Sequence, residues 1–588
     1  MQKALYINHK NQKCGVYEFG LAIGNAIVKS EKFDIRYFEC DSLKEFRKVY
    51  SDFRPDVVIY NYHPLTMPWI SKPVINRVVY PTAGFKAIQI GTIHEVYQEF
   101  ADVADNKIFD YHVCADPTLL LKNPLVYKTG RLVPFYQKKN EVINPVPTIG
   151  SFGFAVGAKQ FTKIVEQVQN EFDEAMINMN ISFAKFGDEN GDHARELTLT
   201  LKSIIRKEKI KLNITHTHFG IPELLDFLAK NDLNVFSYEY QKHRGIASSP
   251  DWALAVNKPI AVNKSMMFRH LFDLYPTICI EDTTLKEIIN NGAEHLKKKQ
   301  EEWNEANLIW DYNRIIDAAL NKGRINFLNK IKQSVKNKIK RNTLSSPIKS
   351  PWVKKEDNII FHGFSDLNYT PVELGQNKLN RLLDNTAREL YKSSIEFIST
   401  LSPELIKNKI PEANVQQGFV FDTAYRFAGS AKKGLKILTV GAFEDTASLA
   451  LKKSGFNIDE IDPEINYDIR TYTSKPSVKP GSYDIIISTS VIEHVKDDEG
   501  FVKDISFLLK PGGIAILTCD FHNDYKPGFD IPGVDFRFYT KHDLKERLMN
   551  AIPDCYLIDE PDYDCNEYDF TFLNRYTYTF ATFVFEKK

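Results

Sequence analysis

Three groups of residues have the types and spacing to do chemistry. In LTVGAFEDTASLALKKSGFNIDEIDPEINYDI (438–469), Gly441 follows a β-branched run at a turn where a ligand can approach the backbone, and Asp462 ends the next such run. An acid about twenty residues past such a glycine can accept both hydroxyls of a ribose, which suits a dinucleotide or nucleoside cofactor. In IGSFGFAVGAKQ (149–160), a glycine-rich loop and Lys159 lie between a strand and a helix start, a geometry for a diphosphate. In HRGIASSPDWALAVNKPIAVNKS (243–265), Gly245 and a Ser248-Ser249-Pro250-Asp251 cap precede a short helix whose free backbone amides favour an anion. Gly15 in KCGVYEFGLAIGNAI (13–27) opens another helix, and His63 and His94-Glu95 follow the third and fourth candidate strands.

These residues need sheets to hold them. Short β-branched or aromatic runs at 3–8, 34–39, 56–61, 87–93 and 110–115 alternate with amphipathic stretches, the pattern of strands and helices around a parallel sheet. After NPVPT (144–148) the pattern restarts, with strands expected at IGSFGFA, 180–187, 213–220, 234–240 and 259–263. Two α/β domains with a ligand cleft between them follow. A helix is expected at 385–401, then a third α/β unit from LKILTVG (435–441) with strands at YDIIIST and GIAILTC.

Composition bounds the reading. A chain of 588 residues is long for one domain, and 43% apolar with 26% charged residues describes several packed cores. The 76 basic and 76 acidic residues cancel, which disfavours a uniformly basic nucleic-acid coat. The balance is local: residues 1–321 are neutral, 322–355 hold 11 basic and no acidic residues, and 356–588 hold 26 basic against 37 acidic. Seven scattered cysteines form no CxxC pair, so neither a disulfide framework nor a thiolate zinc site is expected, and the acidic run after 550 reads as solvated loop, with no metal. The start lacks a signal-peptide core and no run of 18 apolar residues occurs, so a cytoplasmic location is expected.

Residues 1–321 resemble the GT-B glycosyltransferases, in particular the retaining family that includes many bacterial polysaccharide transferases. With Lys258-Pro259 aligned on the family's Lys-Pro, Gly245 falls on its glycine, while Arg244 and Trp252 stand where it has glutamates. Phe154 stands where it often has arginine. The resemblance implies a nucleotide-sugar donor held by Gly15, Lys159, Arg244, Gly245, Ile246 and Ser248, and a sugar contact from His94, with His63 as second choice. Arg244 could pair bidentately with the donor diphosphate.

Residues 380–588 resemble the class I S-adenosylmethionine-dependent methyltransferases, on YDIIISTSVIEHVKDDEGFVKDISFLLKPGGIAILT (483–518) together with Gly441 and Asp462. Gly441-Ala442-Phe443-Glu444-Asp445 replaces the usual GxGxG run. The resemblance implies that Gly441 lies beside the methionine moiety, Asp462 binds the ribose, Asp468 lies near the adenine, and Ser490 lines the cofactor pocket. Methyl transfer to a hydroxyl needs a base, for which His494 is the first candidate and His522 the second. Residues 521–544 read as an acceptor-side lid, with Arg537 able to grip a substrate.

The expected architecture is therefore three Rossmann-like α/β domains: 1–145, with a helix at 301–321 packing back on it, 146–300, and 359–588. A basic amphipathic helix and linker, 322–358, joins the last to the others. The expected function is sugar transfer and methylation of the same surface or capsular polysaccharide or lipid-linked glycan. The alternatives are a methyltransferase with a non-catalytic glycan- or nucleotide-binding half, and methylation of a small molecule or protein. Residues 322–341 suit an anionic membrane surface, or the acidic domain, better than nucleic acid, because they lack the aromatic interleaving that base stacking needs.

Overall fold

The computed structural model describes the chain apart from residues 11–13, 75–76, 80, 138–142, 156–157, 185–186, 324–368, 407–408, 430–433, 566 and 574. The expected basic helix at 322–341 and its linker fall almost wholly outside the described residues. The chain divides into two units, 1–347 and 348–588.

The first unit holds two parallel sheets. One contains β1 (Lys3–Asn8), β2 (Asp34–Glu39), β3 (Val57–Tyr60), β4 (Ile88–Thr92), β5 (Tyr111–Cys114) and β6 (Val126–Lys128), in the order β2-β1-β3-β4-β5-β6. The other contains β7 (Thr148–Phe152), β8 (Ala175–Asn180), β9 (Ile210–Thr215), β10 (Leu233–Phe236) and β11 (Ile260–Val262), in the order β9-β8-β7-β10-β11. Every residue of β3 and β4 is buried, as expected of strands covered by helices on both faces. The helix Glu305–Lys322 returns from the second domain to the first. It places Leu308, Tyr312, Ile315, Ile316 and Ala319, one helical stripe, in the same core as Ala4, Tyr6, Ile59 and Ile90.

The second unit has a mixed sheet of β12 (Ile437–Val440), β13 (Ile458–Ile461), β14 (Tyr483–Thr489), β15 (Leu509–Phe521), β16 (Cys555–Leu557), β17 (Phe570–Phe572) and β18 (Tyr576–Lys587). The order is β13-β12-β14-β15-β18-β16, with β17 on β18. The first four are parallel and β18 runs antiparallel to its neighbours. In each of these three sheets the first strand is an inner one, lying between the second and third in the first and last sheets and between the second and fourth in the middle one, so the chain reverses its direction of winding there. Ligands of open α/β sheets bind at the carboxyl end of that switch point. Gly15 opens the helix that follows β1, and Gly153 and Gly441 directly follow β7 and β12.

Two strands lie earlier than expected. The strand expected at 180–187 is AMINMN, 175–180, and that expected at 213–220 is 210–215. Beyond the end of β8, Gly187 stands at φ +88 and Gly191 at φ +77, the latter just before the helix Asp192–Ser203. The helix expected at 385–401 is two helices, Asn385–Leu390 and Lys392–Leu401, interrupted at the fully buried Tyr391, whose ring packs edge-on against Phe419.

Candidate functional site

In the second unit, Gly441 leaves β12 at φ +83. Its N–H and that of Ala442 both donate to the Ile461 carbonyl, at 2.9 and 3.2 Å. A Cβ at 441 would stand 2.2 Å from Val491 Cγ2, so the turn requires glycine for both space and conformation. Asp462, immediately after β13, accepts from Phe443 N at 3.1 Å through one carboxylate oxygen and from Glu464 N at 2.7 Å through the other. The acid is thereby tied to the glycine turn. Asp445 caps the following helix by accepting from Ser448 N at 2.6 Å, and burial raises its pKa.

Ser490 leaves β14 at φ +54 and donates its hydroxyl hydrogen to Glu493 Oε1 at 2.6 Å. Glu493 is wholly buried, and its Oε2 has no hydrogen-bond partner among the described residues. Burial pushes its carboxyl up to about 7. Asp520 in β15 is also buried, and burial together with the Glu493 and Asp535 charges raises its pKa well above the usual range. The segment after β15 folds back over these groups: Phe536 N donates to the Glu493 carbonyl at 2.8 Å, and Asp535 Oδ1 lies 2.8 Å from His494 Nδ1.

That contact corrects the expectation for His494. Its bond to Asp535, reinforced by the Glu493 charge, outweighs desolvation and raises its pKa to about 9. The imidazole is a cation at neutral pH, not a free base. His522 also departs from a base. Its Nδ1 accepts from Asp524 N at 3.3 Å, so the neutral ring presents Nε2–H, a donor. Burial lowers its pKa, and the ring stacks on Tyr568 with centroids 3.9 Å apart. Arg537 lies beside Asp498, 3.2 Å from Nη1, with its side chain partly exposed. Asp468 is exposed and caps the helix Ile469–Thr473, accepting from Thr471 N at 2.9 Å and Thr471 Oγ1 at 2.6 Å.

In the first unit, Gly15 opens the helix Gly15–Ile27 with open space where a Cβ would stand. His94, just after β4, contacts Asn61 Oδ1 through Nε2 at 2.8 Å and meets Phe19 edge-on at 5.4 Å. Burial, with help from nearby cationic groups, lowers its pKa to about 3. His63 is a loop residue whose Nδ1 accepts from Leu65 N at 3.3 Å. Lys159 lies over the rings of Phe154 and Tyr238, at 5.7 and 5.6 Å, with its ammonium where a Cβ on Gly153 would be.

Arg244 does not stand free for a diphosphate: its Nη1 is 2.7 Å from Glu95 Oε2, across the two domains. A Cβ on Gly245 would lie 2.3 Å from Glu95 Cα, so Ile246 follows a point of backbone-to-backbone approach. Ser248 makes no side-chain cap. Its hydroxyl accepts instead from Arg131 Nη2 at 3.0 Å. Arg131 and Asp251 form a buried cross-domain ion pair at 2.5 Å, and Trp252 packs against the apolar core beside it. Asn8, Asn61, Arg131 and Asp535 were not foreseen, and Asp251, expected only as part of a helix cap, is instead the partner of Arg131. For the first two the available signal was an asparagine closing each of two apolar strands.

Residues 413–556 match the family model described as a methyltransferase domain, so the C-terminal region carries one. The ubiquinone biosynthesis O-methyltransferase of Xanthomonas campestris pv. campestris is 27% identical over 111 residues, 16% of this chain and 46% of that protein. That of Colwellia psychrerythraea is 28% identical over 101 residues, covering 14% and 41%. The chain thus spans about half the length of the curated relatives it matches. Among solved structures, the sucrose-phosphate synthase of Thermosynechococcus elongatus is similar to 55% of this chain over 100% of its own, at 10% identity and TM-score 0.41. A glycosyltransferase from Rickettsia africae matches 53% of this chain over 97% of its own, at 13% identity and TM-score 0.38. Among the described residues no helix is long and apolar enough to cross a membrane.

Proposed function

We propose that the chain is a bifunctional enzyme of glycan assembly. Residues 1–322 transfer a sugar from a nucleotide-sugar donor, and residues 369–588 methylate a glycan hydroxyl from S-adenosylmethionine. The observation that carries the methyl-transfer reading is the Gly441–Asp462 turn at the switch point of a sheet whose residues match a methyltransferase domain. The residues fit the cofactor: a side-chain-free turn at Gly441, an Asp462 carboxylate with lone pairs remaining for a ribose, and a buried Glu493 oxygen without a partner. S-adenosylmethionine supplies an electrophilic methyl group.

The chain supplies orientation and the proton acceptor. A carboxyl titrating near 7 is well placed to take a hydroxyl proton, so Glu493, steered by Ser490, takes the role first expected of His494. His494, charged and paired with Asp535, fastens the segment that covers the site. The O-methyltransferase relatives support oxygen as the nucleophile. The sugar-transfer reading rests on Lys159, Gly245 and the paired parallel sheets. A fused second site keeps the product of the first at high effective concentration.

A second reading, in which the first unit only binds a nucleotide or glycan, is favoured by one observation: Arg244 and Trp252 replace the glutamates and are engaged with Glu95 and an apolar core. A panel of nucleotide-sugars with labelled S-adenosylmethionine, read by mass spectrometry, separates the readings. Unchanged S-adenosylmethionine affinity in Asp462→Ala would sink the cofactor assignment. We also propose that 322–341 contacts an anionic membrane, which flotation with anionic vesicles tests.

A further inference from the structure

We propose that Asn61 is a positioning residue that locks His94 as a neutral imidazole, with Nε2–H turned onto the Asn61 amide oxygen and the Nδ1 lone pair left to accept a hydrogen from a ligand hydroxyl. Only the identity of the ligand rests on the sugar-handling reading of the first unit. The hydrogen on Nε2 stands on a chain of hydrogen bonds, and the neutrality of the ring on its burial and on the cationic groups around it.

The direction of both amides in that chain is fixed. Backbone carbonyls only accept, so the nitrogen of Asn61 that meets the Val16 carbonyl at 2.7 Å is its donor end, as is the nitrogen of Asn8 that meets the Tyr17 carbonyl at 3.1 Å. Asn61 Nδ2 also donates to Asn8 Oδ1 at 2.8 Å, and Asn8 Nδ2 to Tyr37 Oη at 3.1 Å. Turning Asn61 over would set its oxygen against the Val16 carbonyl, and turning Asn8 over would set its oxygen against the Tyr17 carbonyl and its nitrogen against Asn61 Nδ2. Asn61 Oδ1 is thereby an acceptor, and it faces His94 Nε2 at 2.8 Å. Nε2 must carry the hydrogen, and a neutral ring then has its lone pair on Nδ1.

The surroundings keep the ring neutral. His94 is desolvated, and His9, His63 and Arg131 all disfavour a second proton, while Glu95 is occupied by Arg244. The network is sealed by Gly20, where a Cβ would stand 2.1 Å from Asn61 Nδ2 and 2.8 Å from Asn8 Oδ1. A helix with any side chain at 20 would press the amides out of line. A neutral ring offering a lone pair suits a hydroxyl, whereas an anion calls for imidazolium. This corner of the junction therefore reads an uncharged polyhydroxylated group and leaves the diphosphate to other residues.

Full-length protein labelled with 15N-histidine tests this by two-bond 15N–1H correlation, with His94→Gln identifying the His94 signals among the fourteen histidines. The wild type is expected to show the Nε2–H tautomer at neutral pH and to stay neutral a full pH unit below the usual histidine value of about 6.5. The Nδ1–H tautomer, or an imidazolium at that pH, overturns the proposal. Asn61→Leu is expected to populate both tautomers with the other histidine signals unmoved, and an unchanged tautomer overturns the role of Asn61. Should that variant fail to fold, Asn61→Asp replaces it, with an expected tenfold or greater rise in the proton affinity of His94 and no rise as the contrary result. Inorganic pyrophosphate added at the lower pH is expected to leave His94 neutral, and an imidazolium signal overturns the hydroxyl reading. None of these readouts needs a sugar donor, so absence of sugar transfer would leave them standing.

Discussion

His494 Nδ1 lies 2.8 Å from Asp535 Oδ1, joining the loop after β14 to the segment that covers it. The pair raises the His494 pKa to about 9, above its unfolded value, so its contribution to stability is complete below about 6.5 and is lost as pH rises through about 9. Asp535→Asn is expected to bring the His494 titration back toward the ordinary value and to flatten that alkaline loss. Histidine NMR titration and urea denaturation across this range check both.

Glu493 acts in the same sense but in a lower pH window. Its folded pKa of about 7 exceeds the unfolded value near 4.5, so between these values the unfolded chain sheds a proton that the folded chain keeps, and stability falls as pH rises. Glu493→Gln, which keeps the shape and the Ser490 contact, is expected to remove this slope and to abolish most methyl transfer while S-adenosylmethionine still binds. A variant retaining full transfer would return the proton-acceptor role to another group.

Gly441→Ala sets a Cβ 2.2 Å from Val491 Cγ2 and forces alanine to φ +83. A backbone conformation of this kind costs roughly 1–3 kcal/mol. The expected outcome is a lowered melting temperature and at least tenfold weaker S-adenosylmethionine binding by calorimetry, because the turn also aims Phe443 N at Asp462.

The buried pair of Arg131 and Asp251 bridges the two sheets of the first unit, with Arg131 Nε 2.8 Å from Asp251 Oδ2. Removing one partner leaves the other charge uncompensated, which costs about 3–5 kcal/mol, whereas replacing both can be close to neutral. Arg131→Met is expected to destabilise by that amount and Arg131→Met with Asp251→Leu by much less. A double-mutant cycle in denaturant measures the difference.

What was legible in the chain was periodic or glycine-marked. Most parallel strands of the three sheets showed as β-branched runs, whereas β6 and the C-terminal strands β16, β17 and β18 did not enter the expectation. Gly441, Asp462 and Ser490 lay where a strand ends and a turn begins, so their neighbourhood followed from order along the chain. The groups that set protonation were not legible because they come from far away. Asp535 meets His494 only once the segment after β15 folds back, and Asn61 meets His94 across two parallel strands. Strand β8 was misplaced because alanine, methionine and asparagine have weak β preference, and it is the parallel pairing of AMINMN with β7 and β9 that makes it a strand.

Gly245 has two competing explanations, a ligand that needs the backbone or a packing contact that excludes any side chain. A Cβ there would meet the Glu95 backbone at 2.3 Å, which no rotamer can relieve, and Glu95 itself sits at φ +54. The adjacent Arg244–Glu95 pair is partly exposed, and pairs of this kind contribute about 0–1 kcal/mol. If packing is the reason, Gly245→Ala must disturb the domain junction without any ligand, costing roughly 1–3 kcal/mol or opening the first unit, while Arg244→Ala stays near wild type. Small-angle scattering and denaturation of ligand-free protein decide it. A Gly245→Ala protein with wild-type stability and dimensions would mean that the glycine is kept for a ligand.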